Sequence, residues 1–187
     1  MESIKSTIAA FFDFLQGIVV FMALLVMVYF FIISPQEING QSMDPTFHNA
    51  ELILTNKFIY KFGYPKRGDV VIFKSPRNKD IDYIKRIIGL PGERVKLFQS
   101  VYYVNDQKIV EPYIAPDVVT SGGAFLAEGM EIEVPDGEYF VTGDNRPHSS
   151  DSREFGTIPL GDFIGKAFLR YFPFNRASLV PPENYGF

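Results

Sequence analysis

Three stretches of this chain hold residue types that can do chemistry together. Asn39-Gly40-Gln41-Ser42-Met43-Asp44-Pro45-Thr46 sets a serine after a glycine-containing turn and before a proline-fixed one. Tyr83-Ile84-Lys85-Arg86-Ile87-Ile88-Gly89-Leu90-Pro91-Gly92-Glu93 holds a lysine inside a β-branched run that stops at Gly89, Pro91 and Gly92. Such a run, ended by punctuating residues, reads as a strand entering a turn. Successive strand side chains point to opposite faces, so Tyr83, Lys85 and Ile87 share one face and Ile84, Arg86 and Ile88 the other. A lysine between an aromatic and an isoleucine ordinarily snorkels its ammonium to water. If it is buried instead, desolvation disfavours the charged form and lowers its pKa. Moving a lysine from about 10.4 to about 8 costs roughly 3 kcal/mol. A neutral amine is a base, and Ser42 is a hydroxyl it can deprotonate for attack on a carbonyl.

The third stretch, Gly143-Asp144-Asn145-Arg146-Pro147-His148-Ser149-Ser150-Asp151-Ser152-Arg153, is rich in turn formers. By composition it is a polar loop held by local side-chain hydrogen bonds. Asp144, Arg146, Asp151 and Arg153 can pair there as a rigid ionic frame, and Ser149 or Ser150 can hold the lysine amine in line. Taken singly, a serine between turns and a charged loop are more often structural than catalytic.

Composition removes the competing chemistries. With no cysteine there is no thiolate metal site, disulfide framework or cysteine nucleophile. His48 and His148 are the two histidines of the chain. No metal or organic cofactor is signalled or needed. A net charge of -4 gives no basic footprint for nucleic acid. Charged residues at 21% are ordinary for a globular chain, so wholesale disorder is excluded. The 19 phenylalanines point to a core or a membrane.

The elements that must position these stretches come in two kinds. From residue 14 to 36 no side chain is charged, and Ile18 to Ile33 is apolar throughout. A helix needs about 20 residues to cross a hydrocarbon core, so 14–36 is expected to be a transmembrane anchor, preceded by a short segment 1–13 on the cytoplasmic side. A cleaved signal peptide would have a shorter apolar centre, a more basic start and a small-x-small exit. From residue 37 to 187 the helical period is gone. Glu51–Phe58, Asp69–Lys74, Tyr83–Ile88, Arg94–Val104 and Tyr139–Thr142 are short, β-branched or aromatic, and separated by Gly, Pro, Asn and Asp. The expected architecture is mainly β: an N-terminal transmembrane helix, then an all-β barrel-like or sandwich catalytic domain. Val104–Val110 reads as a hairpin tip, 93–143 contains a loop-rich excursion centred on Pro112–Gly129, and Pro181-Pro182-Glu183-Asn184 as an irregular tail. Phe58-Ile59-Tyr60-Lys61-Phe62-Gly63-Tyr64 reads either as a strand's core face or as rings that lie at headgroup level beside Lys57, Lys61 and Lys66.

Ser42-Met43-x-Pro45-Thr46, Arg67-Gly68-Asp69-Val70-Val71-Ile72-Phe73, Tyr83 to Gly92, and Gly143-Asp144-Asn145-Arg146…Ser149-x-Asp151-Ser152-Arg153 resemble, in this order, the sequence boxes of the bacterial type I signal peptidases. The resemblance covers most of the chain from Ser42 to Gly156. It implies a single-pass protein of the cytoplasmic membrane with an all-β domain on the extracytoplasmic face. Its implied activity is cutting signal peptides from exported preproteins after a small-x-small motif, with preproteins and the bilayer as partners. It also implies Ser42 as nucleophile, Lys85 as general base, Ser149 as the residue that orients the lysine, and Asp151 with Arg153 as a brace. The Ser42 backbone N–H would serve the oxyanion. The side-chain hydroxyl donor that some members carry two residues before the serine is missing, because Gly40 stands there. The short 93–143 segment resembles the compact form of the family, which lacks a large second domain.

A signal peptide emerging as an extended chain can add as a strand beside the Ser42 or Lys85 segments. Alternate side chains would then enter apolar pockets, for which Ile53, Tyr83 and Ile84 are the candidates. Three other readings are weaker. A Ser-His-Asp hydrolase would need a nucleophile elbow, and neither histidine sits in one. A self-cleaving repressor has a similar dyad but would not carry a membrane span. A β-domain that binds exported chains without cutting them would not need Ser42 and Lys85 intact.

Overall fold

A computed structural model describes residues 2–180 together with Glu183 and Tyr185. The chain opens with α1 (Glu2–Phe31) and continues through β1 (Ile33–Glu37), β2 (Leu52–Asn56), α2 (Ile59–Phe62), β3 (Val70–Lys74) and β4 (Asp82–Gly89). Then follow β5 (Arg94–Phe98), β6 (Val101–Val104), β7 (Gln107–Lys108), β8 (Glu131–Glu133) and β9 (Glu138–Thr142). The last elements are α3 (Ser152–Phe155), β10 (Ile158–Pro159), β11 (Phe163–Phe172) and β12 (Ser178–Leu179).

Within α1, Ser6–Tyr29 is long and apolar enough to cross a membrane, and none of its most apolar window is buried in the protein. The helix begins before the expected 14–36 span and ends five residues short of its end. Pro35 disfavours a helical conformation at the residue before it, and Ile33–Glu37 instead pairs antiparallel with Asn56–Leu52. The apolar run is therefore helix as far as Phe31 and the edge of a sheet after it.

All strand pairings among the described residues are antiparallel. The larger, eight-stranded sheet runs β1-β2-β11-β3-β4-β9-β10, with β12 on β11, and a four-stranded sheet runs β7-β6-β5-β8. β3 lies between β11 and β4 and is apolar on both faces, and Val70, Val71, Ile72 and Phe73 are all at most 2% exposed. One core cluster, with Val95, Leu97, Tyr102, Val104, Leu126 and Phe140, joins the small sheet to the large one. A second, with Met43, Phe47, Ile53, Val70 and Ile72, lies under the Ser42 loop, and a third, with Val71, Phe73, Ile87, Tyr139 and Val141, covers the other face.

Several expectations are corrected. Arg94–Val104 is two strands folded at Gln99-Ser100, both with positive φ; that pair lacks the Asn-Gly signal of a tight hairpin, so the turn was invisible. Phe58–Tyr64 is not a strand. Asn56 Oδ1 accepts from Phe58 N (2.9 Å) and Ile59 N (3.1 Å), which turns the chain into α2 and leaves Phe62 and Tyr64 exposed. β11 was missed because bulges near Phe163/Gly165, Ala167/Leu169 and Arg170/Phe172 break its alternation. Of the tail read as irregular, Pro181, Pro182 and Asn184 lie outside the described residues.

Candidate active site

Lys85 sits on β4 opposite Val71 of β3, in a strand whose last five residues are all buried. Its side chain is 4% exposed. The amine lies 2.8 Å from Ser42 Oγ and 2.9 Å from the Ile84 carbonyl oxygen, 5.2 Å from the Tyr83 ring centre. Burial lowers its pKa to about 8; Asp151 and Asp144 oppose the shift, and Arg153 adds to it. Near that pH the amine is half neutral. It then has N–H donors to spare for Ile84 O and a lone pair for the Ser42 hydroxyl proton.

Ser42 is held by its neighbours on both sides. Met43 and Phe47 are buried, at 1% and 2% exposed, and nail the loop into the second core cluster. Phe47 N donates to Met43 O (2.9 Å) and Asp44 N to Gln41 O (3.1 Å), closing two turns around the serine. The 143–146 loop grips it from outside: Asn145 N donates to Ser42 O (3.0 Å) and Asn145 Nδ2 to Gln41 O (3.0 Å). Gly143 lets this happen, since a Cβ there would overlap Ser42 O and Ser149 Oγ and lie 2.6 Å from Ser149 Cβ. The Ser42 carbonyl is thus occupied, whereas its N–H finds no acceptor among the described residues. A free N–H beside a serine hydroxyl is what a developing oxyanion needs.

The ionic frame differs from the expected one. Asp151 and Arg153 do pair, through Nε–Oδ1 and Nη2–Oδ2 at 2.8 Å each. Asp144, however, pairs with Arg86 (Nε–Oδ1 2.9 Å, Nη2–Oδ2 2.7 Å), not with Arg146. Arg146 reaches away to Glu111 and stacks over the Tyr102 ring. Arg86 is a neighbour of Lys85 on the opposite face of β4, so sequence-local pairing in the loop loses to a partner presented by the strand. Asp144 Oδ2 also accepts from Thr46 Oγ1 (2.5 Å), which ties the frame to the serine loop. Arg86, Thr46 and Glu111 were not singled out from sequence. An arginine in an apolar strand run was a readable signal for Arg86; Glu111, at the edge of a loop, gave none.

Ser149 and Ser150 each bury an Oγ that has no hydrogen-bond partner among the described residues, and neither bonds the Lys85 amine. Ser149 packs against Gly143, while Ser150 lines the cleft. Of the histidines, His48 pairs with Asp44 and His148 is exposed, and neither reaches Ser42 Oγ.

The dyad opens into a cleft of about 550 Å³ whose apolar lining includes Ile53, Ile72, Tyr83 and Ile84. Gln36–Asn39 form one wall and Asp80–Lys85 the other. Both walls offer backbone. β1 is an edge strand, and β4 pairs with β9 only from Arg86 onward, so Asp82–Ile84 is bonded on one side alone. An extended chain laid between the walls meets free donors and acceptors, with apolar side-chain pockets below.

A model of the family "Signal peptidase, peptidase S26" matches residues 11–172. The chain is 36% identical over 184 residues to signal peptidase IB of Staphylococcus aureus (strain MRSA252), covering 92% of this chain and 95% of that protein. It is 39% identical over 153 residues to signal peptidase I of Bacillus caldolyticus, covering 78% of this chain and 83% of that protein. A crystal structure of a signal peptidase I from Enterococcus faecalis V583 is 32% identical and superposes with a TM-score of 0.48, covering 56% of this chain and 97% of that one.

Proposed function

The chain belongs to the signal peptidase I family (peptidase S26), and from that premise we propose that Ser42 and Lys85 are its catalytic dyad. Its activity is that of a serine endopeptidase that removes signal peptides from secreted preproteins. The apolar N-terminal helix is consistent with the single-pass anchor of that family. The observation that carries the assignment is the 2.8 Å separation between Ser42 Oγ and a Lys85 amine whose pKa burial lowers to about 8.

In the proposed cycle the neutral Lys85 takes the Ser42 hydroxyl proton as Oγ attacks the scissile carbonyl carbon. The Ser42 N–H stabilises the oxyanion; the Gly40 position offers no side-chain donor. The Lys85 ammonium then gives its proton to the leaving amine as the C–N bond breaks, and the mature protein departs. Water, deprotonated by the same lysine, releases the signal peptide from the acyl-enzyme as a carboxylate. The Asp151–Arg153 pair and the Asp144–Arg86 pair hold the two segments in register. Ser149 is the residue proposed to orient the amine, and Ser150, which lines the cleft with a hydroxyl unpartnered among the described residues, is the alternative. Ile53, Tyr83 and Ile84 form the shallow apolar pockets that select small side chains at alternate positions.

The catalytic domain, residues 37–187, is assigned to the outer face of the cytoplasmic membrane, and residues 1–13 to the inner face. The enzyme thereby meets each preprotein as it leaves the bilayer. Product mass tests the proposal: a preprotein with an Ala-x-Ala site is mixed with wild type, Ser42→Ala or Lys85→Ala in detergent. One cut after the motif, lost in both variants, is expected. A cut that survives Lys85→Ala discards the dyad while leaving the peptidase.

A further inference from the structure

Arg86 and Asp144 form the joint between the lysine strand and the serine loop. Arg86 follows Lys85 directly, and Asp144 both accepts from Thr46 and precedes the Asn145 that holds Ser42 O. Arg86 is 1% exposed. A buried guanidinium needs more than one carboxylate to replace its water, and the remaining partners come from distant parts of the chain. The Tyr113 ring lies over it, its centre 4.1 Å from the guanidinium carbon, and the Glu183 carboxylate lies 3.8 Å from Nη1. Tyr185 closes the outer side. It is 3% exposed, and its ring stands edge-on to Tyr113 at 83° with hydroxyl oxygens 3.2 Å apart. Its backbone carbonyl accepts from Val110 N (3.3 Å). Beneath the ring is Gly68, at φ +87°, where a Cβ would meet Tyr185 at 2.8 Å. The Gly68 carbonyl in turn accepts from Arg86 Nη1 (3.2 Å).

We propose that Glu183 and Tyr185 are a C-terminal strap whose ring and carboxylate seal the Arg86–Asp144 joint, making Tyr185 a positioning residue for Ser42 and Lys85. The inference rests on the dyad reading. Tyr185 touches no reacting atom; it acts through Tyr113 and Arg86. With the ring gone, water reaches the guanidinium, Arg86 and Asp144 gain freedom, the alignment of Ser42 is lost, and the Asp144 charge, less tightly held by Arg86, acts more strongly on Lys85.

The test compares full-length wild type, Tyr185→Ala, Tyr185→Phe and Ser42→Ala in detergent on one Ala-x-Ala peptide, reading kcat, KM and the pH profile of kcat/KM. Tyr185→Ala is expected to lower kcat about tenfold or more with little change in KM. Its rising pH limb should move upward by roughly half a unit, because an Asp144 carboxylate less neutralised by Arg86 favours the charged Lys85. Tyr185→Phe keeps the packing on Gly68 and Tyr113 and should restore both. A Tyr185→Ala enzyme whose pH limb stays with wild type overturns the strap, whether or not kcat falls, because loss of folded enzyme lowers the rate without moving the limb. If Tyr185→Ala does not fold, Tyr185→Leu carries the same prediction, since it keeps apolar volume but loses the ring edge. Activity remaining in Ser42→Ala would instead be a failure of the dyad, which the strap variants do not produce.

Discussion

In the proposed dyad, Lys85 is the residue whose protonation state sets the rate. Burial lowers its folded pKa to about 8, below the 10.5 of an exposed lysine. Activity should therefore rise with pH through about 8 in kcat/KM, the parameter that reports the free enzyme. A profile flat from neutral to alkaline pH would remove the neutral-lysine mechanism. The same shift has a sign for stability. Between pH 8 and 10.5 the unfolded chain binds the proton that the folded chain has released, so stability climbs with pH across that window. Below pH 8 the whole cost of burying the amine is present, about 3 kcal/mol. Lys85→Met should abolish turnover yet raise Tm by several degrees at pH 7, and the gain should shrink as the pH rises from about 8 to 10.5. A Tm below wild type at pH 7 would show that the two hydrogen bonds of the amine outweigh its desolvation. The alternation of β4 was readable, and with it the company Lys85 keeps on its face. The bonding of Ser149 was not: sequence gives its distance along the chain from Asp151 but not the rotamer of a buried hydroxyl.

At the scale of elements, the site is a strand, a pinned loop and a second loop clamped over it. Gly143 is where the two loops touch, because its missing Cβ leaves room for Ser42 O and Ser149. Gly143→Ala should cut kcat about a hundredfold through displacement of Ser42. Gly161→Ala, with nothing within 4 Å of the new methyl, should leave it unchanged. Equal rates for the two variants would mean that the clamp does not set the serine. Removing one partner of a buried ion pair costs about 3–5 kcal/mol, so Asp144→Ala should destabilise by about that much. Thermal unfolding of Asp144→Ala beside Arg86→Met distinguishes the frames: the pair should interact strongly in a double-mutant cycle. β3, a short β-branched run apolar on both faces, and β4, a run that stops at Gly89, Pro91 and Gly92, were legible from sequence. β11 was not, because bulges disrupt its period, and α2 was not, because one Asn56 carboxamide turned an aromatic run into a helix. The pairing of Asp144 with Arg86 was hidden for a related reason: it depends on which face of β4 meets the loop, a matter of register between distant segments.

For the molecule as a whole, the apolar helix and the β-domain divide the work. The Ile32 carbonyl accepts from Lys57 N (2.9 Å), so the end of α1 is fixed to the sheet that carries the cleft wall at Gln36–Asn39. Confining enzyme and substrate to one surface raises their effective concentration. Deleting residues 2–31 should leave kcat/KM for a short soluble peptide within a few-fold. On a preprotein inserted in vesicles it should fall by about 100-fold. Equal losses on both substrates would mean that the helix supports the fold of the cleft instead of its encounter with substrate. That a long uncharged run precedes a β-rich domain was plain in the sequence. Its exact end was not, since apolar residues suit the membrane and an edge strand equally well.

The most direct measurement of the central claim is to map the acyl group on the enzyme itself. Wild type, Ser42→Ala and Lys85→Ala, each in detergent at pH 8, are mixed with a peptide ester whose acyl part ends in Ala-x-Ala. The reactions are quenched in acid, digested and analysed by mass. The account predicts an acyl adduct on Ser42 in wild type, none in Ser42→Ala, and formation slowed about a hundredfold or more in Lys85→Ala. An adduct on another residue, or one that forms on Ser42 at the wild-type rate without Lys85, would contradict it.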